Sequence, residues 1–249
     1  MLNSSDPTSP VETAPKLMAM TVVALAMATL AETRGSEVGK HSMRVQLFVQ
    51  ALARHLQTQP QFAALITDAY IEQLSLAAAL HDMGTIGIPD RILLKPCGLT
   101  PVELAVMKTH TTLAVEAIER IESVLGQPVA ELLTLKEMAQ SHHERWNGSG
   151  YPQGLVGEQI PLSARLLAIA DVYDALISDR VYKAGIPHSE AVGIIFQGRG
   201  SQFDPEMVDA FIDIEHEFQA IAQRFPNTEQ DMQKKIDYMI HAIADPAEL

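Results

Sequence analysis

The chain has 249 residues, 47% of them hydrophobic, enough to bury a sizeable core, so disorder is not its default state. Its 31 acidic against 18 basic residues give a formal net charge of −13, which opposes bulk attraction to nucleic-acid phosphates or anionic lipid. Cys97 is the one cysteine, which excludes an intrachain disulfide and a cysteine metal cluster, leaves His, Asp and Glu as strong ligands, and fits a reducing, cytoplasmic setting.

In chain order, residues 1–15 are rich in Ser, Thr and Pro and read as a flexible tail or linker remnant; residues 16–249 read as a single helical domain. The apolar stretch 17–31 falls short of the roughly 20 residues needed to span a bilayer, so it reads as a buried helix and no membrane span is expected. A cleaved signal peptide is the second reading, but the acidic segment ahead of it lacks a basic n-region. Helical character covers 17–33, 40–57, 61–82, 101–124, 129–144, 161–180, 187–197, 205–223 and 228–244, and alternating strand patterns are nearly absent. Between 61 and 82, Phe62, Leu65, Ile66, Ala69, Leu76, Ala77 and Leu80 recur largely at steps of three and four, the stripe of a helix lying on a core. Thr100 is an expected N-cap, with Pro101 at the first helical position. The fold class is all-α.

Ligand-type side chains sit on or beside these helices. His41 opens the second, His81 and Asp82 close the third, His110 lies in the fourth, His142 and His143 end the fifth, and Asp171 is inside the sixth. Adjacent pairs at a helix end can turn toward one point, and imidazole with carboxylate suits borderline metals, with Asp82 able to bridge two ions. Asp171 and Asp174 are three apart with Ser178 four further on, which makes one helical face polar; solvent exposure is the plainer reading for Asp179 and metal ligation for Asp171. Glu37 and His41 stand at i and i+4: if helical, they share a face and can hold an ion, and otherwise they are a solvated helix start.

The segments "HDMGTIGIPDRILLKPCGLT", "HHERWNGSGYPQGL", "IPLSARLLAIADVYDALISDRVYK" and "GSQFDPEMVDAF", with His110 between the first two, resemble the successive motifs of the HD-GYP family over about residues 21–212. The resemblance implies an HD-domain helical bundle with the metal site in its core. It also implies a phosphodiesterase that hydrolyses cyclic di-GMP to pGpG or GMP, with metal-activated water as the expected nucleophile. Its implied ligands are His41, His81, Asp82, His110, His142, His143 and Asp171, holding two ions, iron or manganese, with Glu37 at the position associated with a third. Gly150, Tyr151 and Pro152 correspond to the loop linked to substrate approach and to contact with GGDEF-domain partners, Gly150 permitting unusual backbone angles and Pro152 stiffening the exit. Arg180 and Lys183 match residues that grip the substrate phosphates.

Three positions depart from the family pattern. Thr85 stands where a lysine is usual and can donate a hydrogen bond but no charge. Asn147 replaces an aspartate, which keeps the turn but loses a charge and an orienting bond to a ligand histidine, and Cys97 replaces a glycine as a local packing or turn change. Thr85 favours one alternative, a low-turnover metal- and nucleotide-binding regulatory module. Another is hydrolysis of a different cyclic nucleotide such as cyclic GMP-AMP. Oligomeric state is open, a homodimer among the options.

Overall fold

The computed structural model describes residues 22, 26–35, 37–96, 98–181 and 183–244; the expected tail at 1–15, most of the stretch 17–25 and Cys97 lie outside these. Among the described residues there is no strand, only isolated bridges such as Asn147 to Val156. The helices are α1 (26–34), α2 (His41–Gln57), α3 (Asp68–Leu80), α4 (Asp90–Leu93), α5 (Pro101–Lys108), α6 (His110–Leu125), α7 (Leu133–Ser141), α8 (Leu162–Ile177), α9 (His188–Gln197), α10 (Pro205–Asp213), α11 (Glu215–Arg224) and α12 (Glu229–Ala244).

α2 is the central element, packed on α3, α8, α10 and α11. Val45, Phe48, Val49, Leu52, Ala53 and Leu56 follow a 3–4 spacing and are all fully buried. Phe48 stacks on Phe218 with ring centroids 4.6 Å apart, and Tyr173 of α8 meets both edge-on. This aromatic knot fixes α8 against α2, which brings Asp171 and Asp174 up to His41.

Several expected boundaries move, each for a local reason. The helix expected over 61–82 begins at Asp68, because Thr67 caps it by accepting the Tyr70 N–H; residues 60–65 are turns and Leu65 is exposed. The segment 101–124 divides at Thr109. Thr109, Thr111 and Thr112 each donate a hydroxyl hydrogen bond to the carbonyl three residues back, competing with the helix ladder at that joint. The segment 205–223 breaks at Ile214, whose φ of −123° leaves helical geometry while its side chain stays buried. Thr100 and Pro101 do cap α5, with Glu103 completing a capping box. α1 is only half-buried: Ala28 and Ala31 face inward while Met27 and Leu30 are exposed, which corrects the expectation of a fully buried helix.

Candidate metal centre

The ring atoms converge because helix ends have carbonyls to spare. A helix leaves its last C=O groups without intrahelical partners. The Nδ1 of His81, immediately past α3, bonds the Ala78 carbonyl at 2.8 Å; that of His110 bonds Met107 at 2.7 Å; that of His142 bonds Met138 at 3.0 Å. Since a carbonyl only accepts, each Nδ1 carries a proton, and each Nε2 is the ring nitrogen that can give a lone pair to a cation in exchange for any proton it holds. His41, at the start of α2, has its Nδ1 2.8 Å from Oδ2 of Asp174 instead.

Two groups of ligand-type atoms result. Asp82, His110, His142 and His143 form one and His41, His81 and Asp171 the other, with the atoms of each group within 4.8 Å of one another. Asp82 faces both: its Oδ1 is 3.4 Å from Nε2 of His110 and of His142, and its Oδ2 is 3.5 Å from Nε2 of His81. Asp171 Oδ1 lies 3.8 Å from His41 Nε2 and 3.9 Å from His81 Nε2. His41 Nε2, His81 Nε2 and Asp82 Oδ1 are buried with no hydrogen-bond partner. Three orphaned atoms aimed at common points carry a heavy desolvation cost, which divalent cations between them would offset, so the donor set fits a metal centre.

Electrostatics point the same way. Burial opposes charge on His41 and His81, yet carboxylates outweigh it: Asp174, with Asp171 and Glu37, raises His41 to about 9, and Asp82, with Asp171, raises His81 to about 10. Burial also opposes the Asp82 charge, but His81 and His142 hold its carboxyl well below the usual range. Burial, then His142 beside it, drives His143 down to about 2. The raised histidines stabilise the metal-free fold below their unfolded value near 6.5, and that contribution is lost as pH rises through about 9 to 10. Cations compete with those protons. Mn2+ affinity is therefore expected to rise from about pH 6 to about pH 9 with net proton release, read by calorimetry in buffers of different ionisation enthalpy; a pH-independent affinity would contradict this.

The loop 144–155 walls the mouth. Glu144, buried after the two histidines, accepts N–H bonds from Gln153 at 2.7 Å and from Gly154 and Leu155 at 3.1 Å. Tyr151 stacks on His143 at 4.8 Å, and the Lys108 ammonium sits 4.7 Å from the Tyr151 ring centre. A cavity of about 340 Å³ is lined there by Lys108, His142, His143, Tyr151, Asp171 and Gln202. Gly150 serves close approach and not unusual angles: its φ is not positive, and a Cβ would stand 2.3 Å from the Arg145 nitrogen and 2.4 Å from the Glu144 Cα. Pro152 is exposed, behind a cis peptide bond from Tyr151. Gly150→Ala is expected to displace Tyr151 and cost at least about 2 kcal/mol; unchanged thermal unfolding would contradict it.

Other expectations change. Asn147 keeps its turn, with Oδ1 accepting from the Ser149 N–H and hydroxyl, but it is exposed and its bonds are not to a ligand histidine. Thr85 is buried and its hydroxyl is spent on the Asp82 carbonyl at 2.7 Å. Residues 37–40 are not helical, so Glu37 does not share a helix face with His41; it stands outside both ligand groups, 3.9 Å from Arg180. Arg180 lines a pocket with Glu37 and His41, and also a separate cavity of about 240 Å³ with Lys183, Leu94 and Met239; neither basic residue lines the mouth at Tyr151. Asp174, placed by the sequence only on a polar face, is buried in α8. Sequence reasoning missed Arg44, Lys108 and the role of Glu144; for Arg44, an arginine inside the otherwise apolar stripe of α2 was the available signal.

The HD domain family profile matches residues 26–207. The chain belongs to the HD-domain family, in its HD-GYP branch. This HD-GYP chain is 50% identical over 210 residues to a "Probable cyclic di-GMP phosphodiesterase" of Vibrio cholerae serotype O1, covering 84% of this chain and 48% of that protein. It is 40% identical over 195 residues to a "Cyclic di-GMP phosphodiesterase" of Thermotoga maritima, covering 78% and 49% respectively. A "3'3'-cGAMP-specific phosphodiesterase 2" of Vibrio cholerae is 36% identical over 201 residues, 81% of this chain and 36% of that one. The chain thus spans about half the length, or less, of these curated relatives. The solved structure of Bd1817, an HDG"Y"P protein from Bdellovibrio bacteriovorus, shares the fold with a TM-score of 0.52 at 24% identity, covering 72% of this chain and 52% of that one. No helix among the described residues is long and apolar enough to cross a membrane.

Proposed function

We propose that this HD-GYP chain carries metal-dependent hydrolysis of cyclic di-GMP to pGpG or GMP. The observation that carries the reading is Asp82, one carboxylate facing two groups of buried ligand atoms, three of which have no hydrogen-bond partner. The printed names of the relatives support the substrate class. The imidazole and carboxylate donors suit iron or manganese. Divalent cations held there would lower the pKa of a bound water, neutralise phosphate oxygens and stabilise the departing 3′-oxygen.

The chain's own residues would do the rest. His81, His110 and His142 enter pre-oriented by their backbone bonds, which lowers the reorganisation needed on binding. Tyr151 and Lys108 offer the mouth an aromatic face and a positive charge. For Arg180 and Lys183 we keep the phosphate-gripping role, with Arg180 better supported because it also lines the pocket at His41. Two ions have more support than three, since Glu37 lies outside both groups.

Two specific observations favour other readings. Thr85 lacks the charge that would favour turnover, as in a regulatory module, and three relatives are named for 3'3'-cGAMP. Incubating Mn2+-loaded protein with cyclic di-GMP and with cyclic GMP-AMP, and resolving products over time, separates them. Faster conversion of cyclic di-GMP is expected; tight binding without product would select the regulatory reading. A cytoplasmic setting, GGDEF-domain contact and homodimer formation belong to the same proposal, the last two testable by sedimentation.

A further inference from the structure

The family match ends at residue 207, yet residues beyond it hold the segment that carries Glu37 and His41. Arg44 is buried one turn along α2 from His41. Its Nε and Nη2 grip Asp174 at 2.6 and 2.8 Å, the carboxylate that in turn holds His41 Nδ1. Its Nη1 donates to Asn227 Oδ1 at 2.7 Å and to the Phe225 carbonyl at 3.1 Å. Asn227 also sits against Gly39, whose φ of +76° and missing side chain allow the contact: a Cβ there would be 2.6 Å from Asn227 Oδ1.

α12 begins immediately afterwards. Thr228 and Asp231 cap it reciprocally, the Asp231 N–H donating to Thr228 Oγ1 and the Thr228 N–H to Asp231 Oδ2. Two turns on, Lys235 is 6% exposed, and its ammonium donates to the carbonyls of Glu32, Thr33 and Gly35 at 2.8 Å each. All three of its protons therefore go to the C-terminal end of α1 and the residue just past it. A buried ammonium on three carbonyls pins that end at a definite distance from α12. Residues 32–44 are thus held at both ends and in the middle by the segment 225–235.

We propose that the segment 225–235 is a clamp, acting through Asn227, Arg44 and Lys235 as positioning residues, that sets the metal affinity of the His41–His81–Asp171 group and not of the Asp82–His110–His142–His143 group. The clamp rests on the metal-centre reading above. The physical link is orientation: Arg44 fixes the rotamer of Asp174, and Asp174 aims the Nε2 of His41 at Asp171.

Titrating metal-free protein with Mn2+ tests this without any turnover measurement. In Asn227→Ala and in Lys235→Met, one equivalent is expected to weaken by roughly ten- to hundredfold while the other is retained, the range typical of lost outer-shell partners. Asn227→Asp keeps the acceptor for Arg44 and should restore wild-type affinity. Lys136→Met, which removes a lysine paired with Glu119 and Glu122, is the control and should bind as wild type. Far-UV circular dichroism verifies that each variant is folded. Wild-type affinity at both equivalents in Asn227→Ala and Lys235→Met, or equal weakening of both equivalents, overturns the clamp. A wild-type protein that takes up no metal overturns the metal-centre reading itself, a distinguishable result.

Discussion

Asp82→Ala is expected to remove metal from both ligand groups and to lower cyclic di-GMP turnover by more than about a thousandfold, over about 4 kcal/mol of transition-state stabilisation. The reason is geometric. Among the described residues, Asp82 is the side chain whose two oxygens face different groups, Oδ1 toward His110 and His142 and Oδ2 toward His81. It also supplies the negative charge that makes a cluster of buried histidines tolerable. Asp82→Asn preserves the shape but halves the acceptor capacity, and its metal content should fall between the wild type and Ala. Metal analysis after dialysis, alongside product chromatography, reads both effects. Full turnover by a metal-free preparation would sink the hydrolytic mechanism.

Thr85→Lys is expected to raise turnover roughly ten- to hundredfold, because a charge-assisted contact contributes about 1.5 to 3 kcal/mol. In the native chain nothing at this position reaches toward a phosphate, since the Thr85 hydroxyl bonds the Asp82 carbonyl inside the turn Met83–Gly87. That turn is pressed onto α6 at Gly84, where a Cβ would stand 1.9 Å from the His110 carbonyl oxygen, so the graft must leave the backbone in place. Thr85→Val separates the two roles of the hydroxyl. It removes the internal bond, at a cost of about 1 kcal/mol in stability, and should leave turnover unchanged. A Thr85→Lys protein no faster than wild type would mean that another cation already meets the substrate. Lys108, whose ammonium lines the mouth beside Tyr151, is the candidate.

Much of the centre was legible in the sequence because its first requirement is local. A histidine one residue past a helix finds the carbonyl three positions back in the same chain, as His81 finds Ala78, so position at a helix end already orients the ring. The same locality explains the α5 cap at Thr100 and Pro101. Expectations failed where a non-local contact decided. Asp174 read only as part of a polar helical face, with no partner assigned, because its partners His41 and Arg44 lie 133 and 130 positions away. Glu37 and His41 were four apart, yet the intervening turn is set by Gly39 packing on Asn227.

By itself, then, the sequence determined the all-helical class, because composition and period act over a few residues, and its ordered motifs, through their resemblance to the family, named the seven residues that stand in the two ligand groups. Tertiary structure alone decided which residues share a group, that Asp82 faces both, and that Asn227 and Lys235 of a C-terminal segment bond Arg44 and the end of α1. Those relations are distances between elements far apart in the chain. They exist only once α2, α8 and α12 have been packed, since no periodicity along a chain encodes where a distant helix will lie.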